Sequence, residues 1–471
     1  MKKSLLAVST ALLMSNANAL DLMQAYDLAL VNDPAYKVAT KEFEAGDANR
    51  IIGRAGLLPQ VSANFYQASN NSRISQTGYA TTNANYPSTN GGVQLTQALV
   101  NLNAWASAKQ GYAQADMARS KFVHNSQDLL VRTTQAYTEV LFYRDQIAYY
   151  TAQRDAYREQ VTINERRLRA GDGTVTEVLE TRASFELADV QVIEAKDNLE
   201  NARRKLEAMM GVKLNSATEV KKLSTNFKVA PVSMTFDQWQ DTALTNNAEI
   251  AAAKNSEEAA KQEYNKQISN NAPVISAIAQ YNQQSSYYVS TINQTANSTM
   301  IGVQATWQLS NGGQTYGLTK QANANWEKAQ ADTEAVRSRV ITELRKQYDL
   351  VVSSRQKVAA LERAVESGSE LTKAMRKSVQ AGERISVDVL LAEKVLVTAQ
   401  KDLAQAKYSY LAATLKLKQL AGNLTVQDLE VVASNFERDA NAPKVTALEP
   451  QQVAQATVTV HKLVLPDLLA R

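Results

Sequence analysis

The sequence predicts a mainly helical fold with a small transmembrane β part, built from a duplicated unit. Three observations carry this reading: a colinear internal repeat, two very long helical stretches with a seven-residue apolar period, and paired short segments with strict period-two alternation. The chain has 471 residues, with only 17 glycines and 8 prolines, less than half the roughly 12% of average usage. That scarcity favours long helices over an all-β or loop-rich fold.

The repeat comes first, because it organises everything else. Gln24, Asp27, Ala29, Leu30 and Asn32 return as Gln238, Asp241, Ala243, Leu244 and Asn246. Pro59, Val61, Ser62 and Ala63 return as Pro273, Ile275, Ser276 and Ala277, and Val93-Gln94 with Thr96 returns as Val303-Gln304 with Thr306. Ala170-Gly171 and Glu177-Val178-Leu179 return as Ala381-Gly382 and Asp388-Val389-Leu390. Five colinear matches displaced by roughly 210 residues indicate two copies, placed at 20–214 and 236–422 with a linker at 215–235.

Residues 1–19 read as a secretory leader: Lys2-Lys3, an apolar run Leu5–Met14, and a small-residue site at Ala17-Asn18-Ala19, so the mature chain is expected to begin at Leu20. No later run approaches the ~18 apolar residues of a spanning helix, so any membrane passage has to use strands.

Each copy then repeats one order of elements. Helical segments at 21–57, broken at Asn32-Asp33-Pro34 because proline and its predecessor resist continuation, are matched by 237–269. Extended stretches follow at 58–67 and 92–100, and at 273–282 and 300–310, with the Asn/Ser/Thr/Tyr-rich 68–91 expected as a loop. Next come long helices at 103–170 and 318–381, each roughly 100 Å at ~1.5 Å per residue. Return helices are expected at 176–211 and 386–421.

The heptads are explicit. Val140, Ile147, Val161 and Leu168 recur on the first long helix, with Arg154 interrupting; Leu344, Val351, Val358, Val365 and Val379 recur on the second, with Thr372 interrupting. The return helices carry Val178, Phe185, Val192, Leu199 and Leu206, and Val389, Leu396, Leu403, Tyr410 and Leu417. A sustained seven-residue period means coiled-coil packing. Since each return helix is about half its partner's length, the helices at 35–57 and 242–269 are expected to stack end to end with it.

In the extended stretches, Ile301, Val303, Ala305, Trp307 and Leu309 alternate with uncharged polar residues, as do Val93, Leu95 and Leu99, and Val61, Ala63 and Phe65. One such segment alone reads as a half-buried soluble strand. In pairs, at about ten residues each, in an exported chain, they fit tilted transmembrane strands. Free sheet edges are not tolerated in lipid, and known barrels start at eight strands, so four must be pooled between copies, as a dimer or a trimer.

Composition excludes much chemistry. The chain has no cysteine and two histidines, His124 and His461, which removes thiolate sites and leaves little for a multi-histidine metal centre. It has no G-x-S-x-G element and no Gly-rich phosphate loop, so an enzyme is not expected, nor is any cofactor. The net charge of +4 includes no basic block, so nucleic acid is not an expected partner.

On these residues the sequence resembles the TolC family of outer-membrane channel-tunnels. The likeness spans about 20–425 and rests on Leu22-Met23-Gln24-Ala25-Tyr26, Leu57-Leu58-Pro59-Gln60, Val93-Gln94-Leu95-Thr96-Gln97 and the turns Gly171–Leu179 and Gly382–Leu390. The resemblance implies a homotrimer in a Gram-negative outer membrane, with a twelve-stranded barrel set in lipid and continued by a long antiparallel helical tunnel in the periplasm. It implies a passive exit duct for efflux or type I secretion. It also implies docking to a periplasmic adaptor and an inner-membrane transporter. A non-conducting coiled-coil stalk or adhesin is the alternative. Small toxic molecules, a polypeptide toxin or a protease would all suit such a duct.

At the tip, Gly171 and Gly382 stand where left-handed caps belong, and Thr174 with Glu177 has the capping-box spacing. Glu177 and Asp388 are therefore explained by capping and dipole complementarity alone. The resemblance adds a second reading: Arg384 joins Thr176 and Glu177 in an aperture lock, and Asp388 forms a ring of carboxylates at the constriction. Gly171–Thr176 and Gly382–Val387 are the implied adaptor contacts. Val379 stands where some relatives carry a lock tyrosine, and Leu391 where some carry a second ring aspartate. The full bond set and double ring are therefore not expected; the second charge is absent or displaced to Glu393. Trp105 and Trp307 suit an interfacial belt or packing between barrel and tunnel. Tyr79, Tyr86, Tyr287 and Tyr288 read as loop residues, His124 as an ordinary helix-face residue, and 423–471 as a partial wrap around the tunnel's middle that frays at its end.

Overall fold

A computed structural model describes residues 19–75, 77–214, 220–224, 227–231, 234–286 and 294–437. The leader at 1–18, Tyr287, Tyr288, His461, parts of the linker and the end of the tail lie outside the described residues.

Three helical pieces open the chain: α1 (Leu22–Asn32), α2 (Pro34–Asp47) and α3 (Asn49–Arg54), the last running into a 3-10 turn at Ala55–Leu57. Asp21 and Gln24 form a capping box on α1, and Asp33 caps α2 with Pro34 in its first turn, which accounts for the break between them. After β1 (Gln60–Ile74) and β2 (Thr82–Val100) comes α4 (Leu102–Ala170), 69 residues without a break. It returns through α5 (Val175–Met210).

The second copy repeats the order with α6 (Phe236–Asn246), α7 (Ala248–Ser269), β3 (Val274–Ser286), β4 (Gln294–Thr306), α8 (Gln314–Gln380) and α9 (Ser386–Ala421). A short α10 (Val426–Ala433) closes the described chain. Each copy closes with a similar bond from neighbouring, not matched, positions: Asn32 donates its amide to the Met210 carbonyl at 2.8 Å, and Asn247, the counterpart of Asp33, donates to the Leu420 carbonyl at 2.8 Å.

α4 is the spine. It packs against α2 and α3 towards the sheet, against α5 towards the other end, and against α7 and α9 of the second copy; α8 likewise carries α7 and α9. Short helices therefore lie beside each long one. On α5 the heptad residues Val178, Val192 and Leu206 are buried, with Thr181, Ala188, Ala195, Ala202 and Met209 on the companion seam. The small seam residues let the helices approach closely. α8 buries Leu344, Val351 and Val358, and also Thr372, which sits at the interruption in its apolar period.

The main core lies where α1, α4, α5, α9 and α10 meet, around Tyr137, Leu129, Leu141, Leu206, Met210, Leu411 and Leu429. Tyr137 donates to the Leu20 carbonyl at 2.9 Å, and Phe436 stacks edge-on against its ring at 5.3 Å. Bridges Leu20–Val220 and Leu223–Phe436 bind the linker and the segment after α10 to this middle.

The four strands form one antiparallel sheet in the order β1-β2-β3-β4. Its register sets Val61 opposite Leu95, Leu95 opposite Ala279, and Ala279 opposite Ile301. Directly paired residues share a face, so Val61, Ala63, Phe65, Val93, Leu95, Ala277, Ala279, Ile301 and Val303 form one apolar surface. Gln60, Ser62, Gln94, Thr96, Gln280 and Gln304 form the opposite, polar one. Phe65, Ile301 and Val303 are 73%, 83% and 69% exposed in the single chain, a cost that water alone would not support.

The strands correct the expected boundaries. The polar stretch 68–91 is largely paired strand, with Asn70 opposite Tyr86 and Ser72 opposite Ala84, and a turn at 77–79. β4 ends at Thr306 rather than 310. Trp307, just beyond it, donates its indole N–H to the Asn271 carbonyl at 3.0 Å. This bond ties the end of β4 to the approach to β3. Tyr86, expected in a loop, is buried within β2.

Candidate functional site at the helical tip

Both coiled coils end in glycine turns. Gly171 follows α4 at φ +82° and Gly382 closes α8 at φ +78°, a backbone region open to glycine without strain. The Gly171 N–H reaches the Leu168 carbonyl at 3.1 Å and the Gly382 N–H reaches Val379 at 3.1 Å. A Cβ at either glycine would meet nothing within 4 Å, so both turns are uncovered.

α5 starts with the full capping box. The Glu177 N–H donates to Thr174 Oγ1 at 3.2 Å, and the Thr174 N–H donates to Glu177 Oε2 at 3.1 Å. Glu177 is thereby engaged in its own helix, and Thr176 beside it is exposed. α9 has no side-chain cap, but Asp388 sits in its first turn, where a carboxylate complements the helix dipole.

Within the chain Arg384 does not reach Thr176 or Glu177. Its Nη1 lies 3.7 Å from Asp388 Oδ2, four residues on. The structure thus brings together Arg384, expected in the lock, and Asp388, expected in the ring, and leaves Thr176 and Glu177 on the other turn. Leu391 is 57% exposed and holds no charge at that level. Glu393 does not supply the displaced one: it is 7% exposed and paired with Arg376 at 2.5 Å across the α8–α9 coil.

The seam inside the tip is polar. α4 buries Gln153, Tyr157, Gln160 and Asn164 rather than the Val161 and Leu168 of its apolar heptad. Asn164 donates to Thr181 Oγ1 at 2.8 Å, and Gln160 donates to Asn164 Oδ1 at 3.1 Å. Polar groups at such positions fix register at a cost in stability. These residues are spaced 4-3-4 like any heptad seam, but their side chains are polar, so the apolar period does not mark them. Between the two coils lies a groove of about 430 Å³, lined by Tyr157, Gln160, Ile163 and Arg167 on one side and Arg376, Val379, Val389, Leu390 and Glu393 on the other.

Among the described residues no group of three His, Asp or Glu side chains could hold a metal ion, and no helix is long and apolar enough to cross a membrane. The tip offers charge and a hydrogen-bonded polar seam.

A sheet apolar on one face, with two unpaired edges, joined to coils that end in glycine turns, is an architecture found in known proteins. The crystal structure of the Campylobacter jejuni CmeC outer membrane channel superposes with a TM-score of 0.74 at 16% identity, covering 88% of this chain and 90% of that one. The alkaline protease secretion protein AprF of Pseudomonas aeruginosa is 37% identical over 90% of this chain and 89% of its own length. The proteases secretion protein PrtF of Dickeya chrysanthemi is 32% identical over 93% and 95%. Residues 25–212 and 239–423, one stretch in each copy, match the family described as Outer membrane efflux protein. With both copies matched in sequence and the architecture matched in space, the chain belongs to the Outer membrane efflux protein family.

Proposed function

We propose that this chain is one protomer of a homotrimeric outer-membrane exit duct. It carries substrates received from an inner-membrane transporter and its periplasmic adaptor across the periplasm and outer membrane. The single observation that carries the reading is the four-stranded sheet with one continuous apolar face and unpaired edges at β1 and β4. Such edges are costly in lipid, and pooling strands with two further copies removes them. An exposed apolar stripe on α5, Leu179, Val190 and Ile193, supplies a matching tunnel contact between copies. The repeats at 20–214 and 236–422 each contribute one hairpin and one coil.

In this reading the apolar face meets lipid and the polar face lines the pore. Asp388 from three copies surrounds the constriction, and Arg384 of one copy reaches Thr176 and Glu177 of the next. Gly171 and Gly382 present the turns to the adaptor. The duct performs no bond chemistry of its own and needs no cofactor. The names of AprF and PrtF refer to protease secretion, which supports an exported protein as cargo in a type I pathway.

Planar-bilayer recording on the purified protein tests the duct. Discrete channels are expected; a coiled-coil stalk or adhesin gives none. A strain lacking the gene tests the cargo. Loss of an extracellular protein with unchanged drug tolerance supports secretion, and the reverse result assigns the duct to efflux.

A further inference from the structure

Tyr157 stands apart from the main core. With Ala188 and Leu390, and with Phe185 packed on them, it forms a separate apolar cluster near the tip that joins α4, α5 and α9. Its hydroxyl donates to the Leu390 carbonyl at 3.2 Å and accepts from the Gln153 amide at 2.9 Å. Leu390 is two residues past Asp388, on the same helix end. The bond therefore runs from the first coil to the piece of the second coil that carries the ring carboxylate.

We infer that Tyr157 is the positioning residue that ties the α8–α9 coil to the α4–α5 coil and so holds the tip closed within each protomer. The inference rests on the duct proposed above. Three features support it. Position 379, which lines the same groove, is a valine and offers no hydrogen bond. Within one protomer Arg384 pairs with Asp388 and Glu177 with its own cap, so neither joins the two coils of a single chain, whatever Arg384 reaches on the next copy. The groove of about 430 Å³ beside Tyr157 leaves the coils without close packing there, so a small contact decides their spacing. A hydroxyl-to-carbonyl bond suits the task, since it is directional, weak and reversible.

The test is single-channel recording on the full-length trimer. Tyr157→Phe keeps the ring among Ala188, Leu390 and Phe185 and removes only the hydroxyl. Opening frequency is expected to rise at least about fivefold, the population shift of one lost hydrogen bond, since each of the three protomers loses one, with the thermal melting profile unchanged. Because the chain has no cysteine, the pair Tyr157→Cys and Leu390→Cys can also be joined by a short bifunctional thiol reagent. The linked channel is expected to return to parental opening, and the unlinked pair to stay raised. Parental opening in Tyr157→Phe, or equal opening in the linked and unlinked pair, overturns the tie while leaving the duct standing. A parent protein that forms no channels removes the duct, and the tie with it.

Discussion

Arg384 Nη1 lies 3.7 Å from Asp388 Oδ2 across the N-terminus of α9. The pair is partly exposed, so it is worth under about 1 kcal/mol and opens readily. Its electrostatic effect is larger than its stability effect, because threefold symmetry would multiply it around one axis. In the proposed trimer Asp388→Asn removes three carboxylates, and block by a trivalent cation is expected to weaken roughly tenfold or more. Arg384→Ser acts oppositely: it leaves those carboxylates unpaired, so block tightens while basal conductance rises. Bilayer recordings with graded cation check both signs, and an unchanged block in Asp388→Asn removes that residue from the constriction.

Asp33 offers a stability test of the duplication. It is 2% exposed, accepts from the Ala35 and Tyr36 N–H groups at 2.6 and 3.1 Å, and holds Arg132 at 2.8 Å. In the second copy Asn247 takes the place, capping α7 through Glu249 and Ile250 without an ion pair. Asp33→Ala loses both the cap and the ion-pair partner and should cost about 2–4 kcal/mol. Asp33→Asn converts the first site to the chemistry of the second and should cost less than half of that. Thermal melts of the detergent-solubilised protein rank the two; equal losses would show that the cap contributes little.

What could be read in advance follows the physics of each signal. Val178, Val192 and Leu206 announce α5 because apolar burial repeats with the coil. The outer halves of β1 and β2 do not announce themselves, since Asn70, Ser72 and Asn85 are polar whichever face they occupy and period two needs an apolar face. The tip seam is hidden for a related reason: Asn164 and Thr181 bury hydrogen bonds at positions where a coil usually buries leucine. Tyr157 with Leu390 is beyond any local signal, because the two are joined only when the copies pack together. The duplicated sequence does locate Gly171, Gly382 and Asp388, since turns and first-turn acids are local features.

The contact between α3 and α4 is set by two glycines. A Cβ on Gly53 would lie 2.7 Å from the Ser107 carbonyl oxygen and 3.0 Å from the Gly111 Cα, both backbone atoms of a rigid helix. Alanine would gain up to about 1 kcal/mol of helix propensity. Overpacking against a backbone that cannot yield costs about 1–3 kcal/mol, so Gly53→Ala should destabilise on balance. Gly111→Ala, which would press on the Asn49 carbonyl, should do the same. Combined, they should cost less than the sum, because one displacement of α3 relieves both clashes. A melt in which either single variant is stabilised would show that α3 shifts freely.

Asp145 gives a pH-dependent prediction. Burial raises its carboxyl above the usual range, against the hydrogen bond from the Tyr408 hydroxyl at 2.6 Å and the nearby Arg144 and Lys222. A carboxyl with a raised folded-state pKa binds its proton more tightly folded than unfolded. Its stabilising effect is therefore complete below the unfolded value near 3.8 and is lost as pH rises through the folded value. Asp145→Asn stays neutral throughout and keeps an acceptor for Tyr408. The variant should therefore gain on the parent as pH goes from about 4 to 7, in the direction set by burial of the charge. Melting temperatures of the two proteins across that range decide the matter. A difference that stays flat would mean that Asp145 ionises as easily in the fold as outside it. A parent that gains on the variant as pH rises would mean that Tyr408 and the neighbouring cations outweigh the burial.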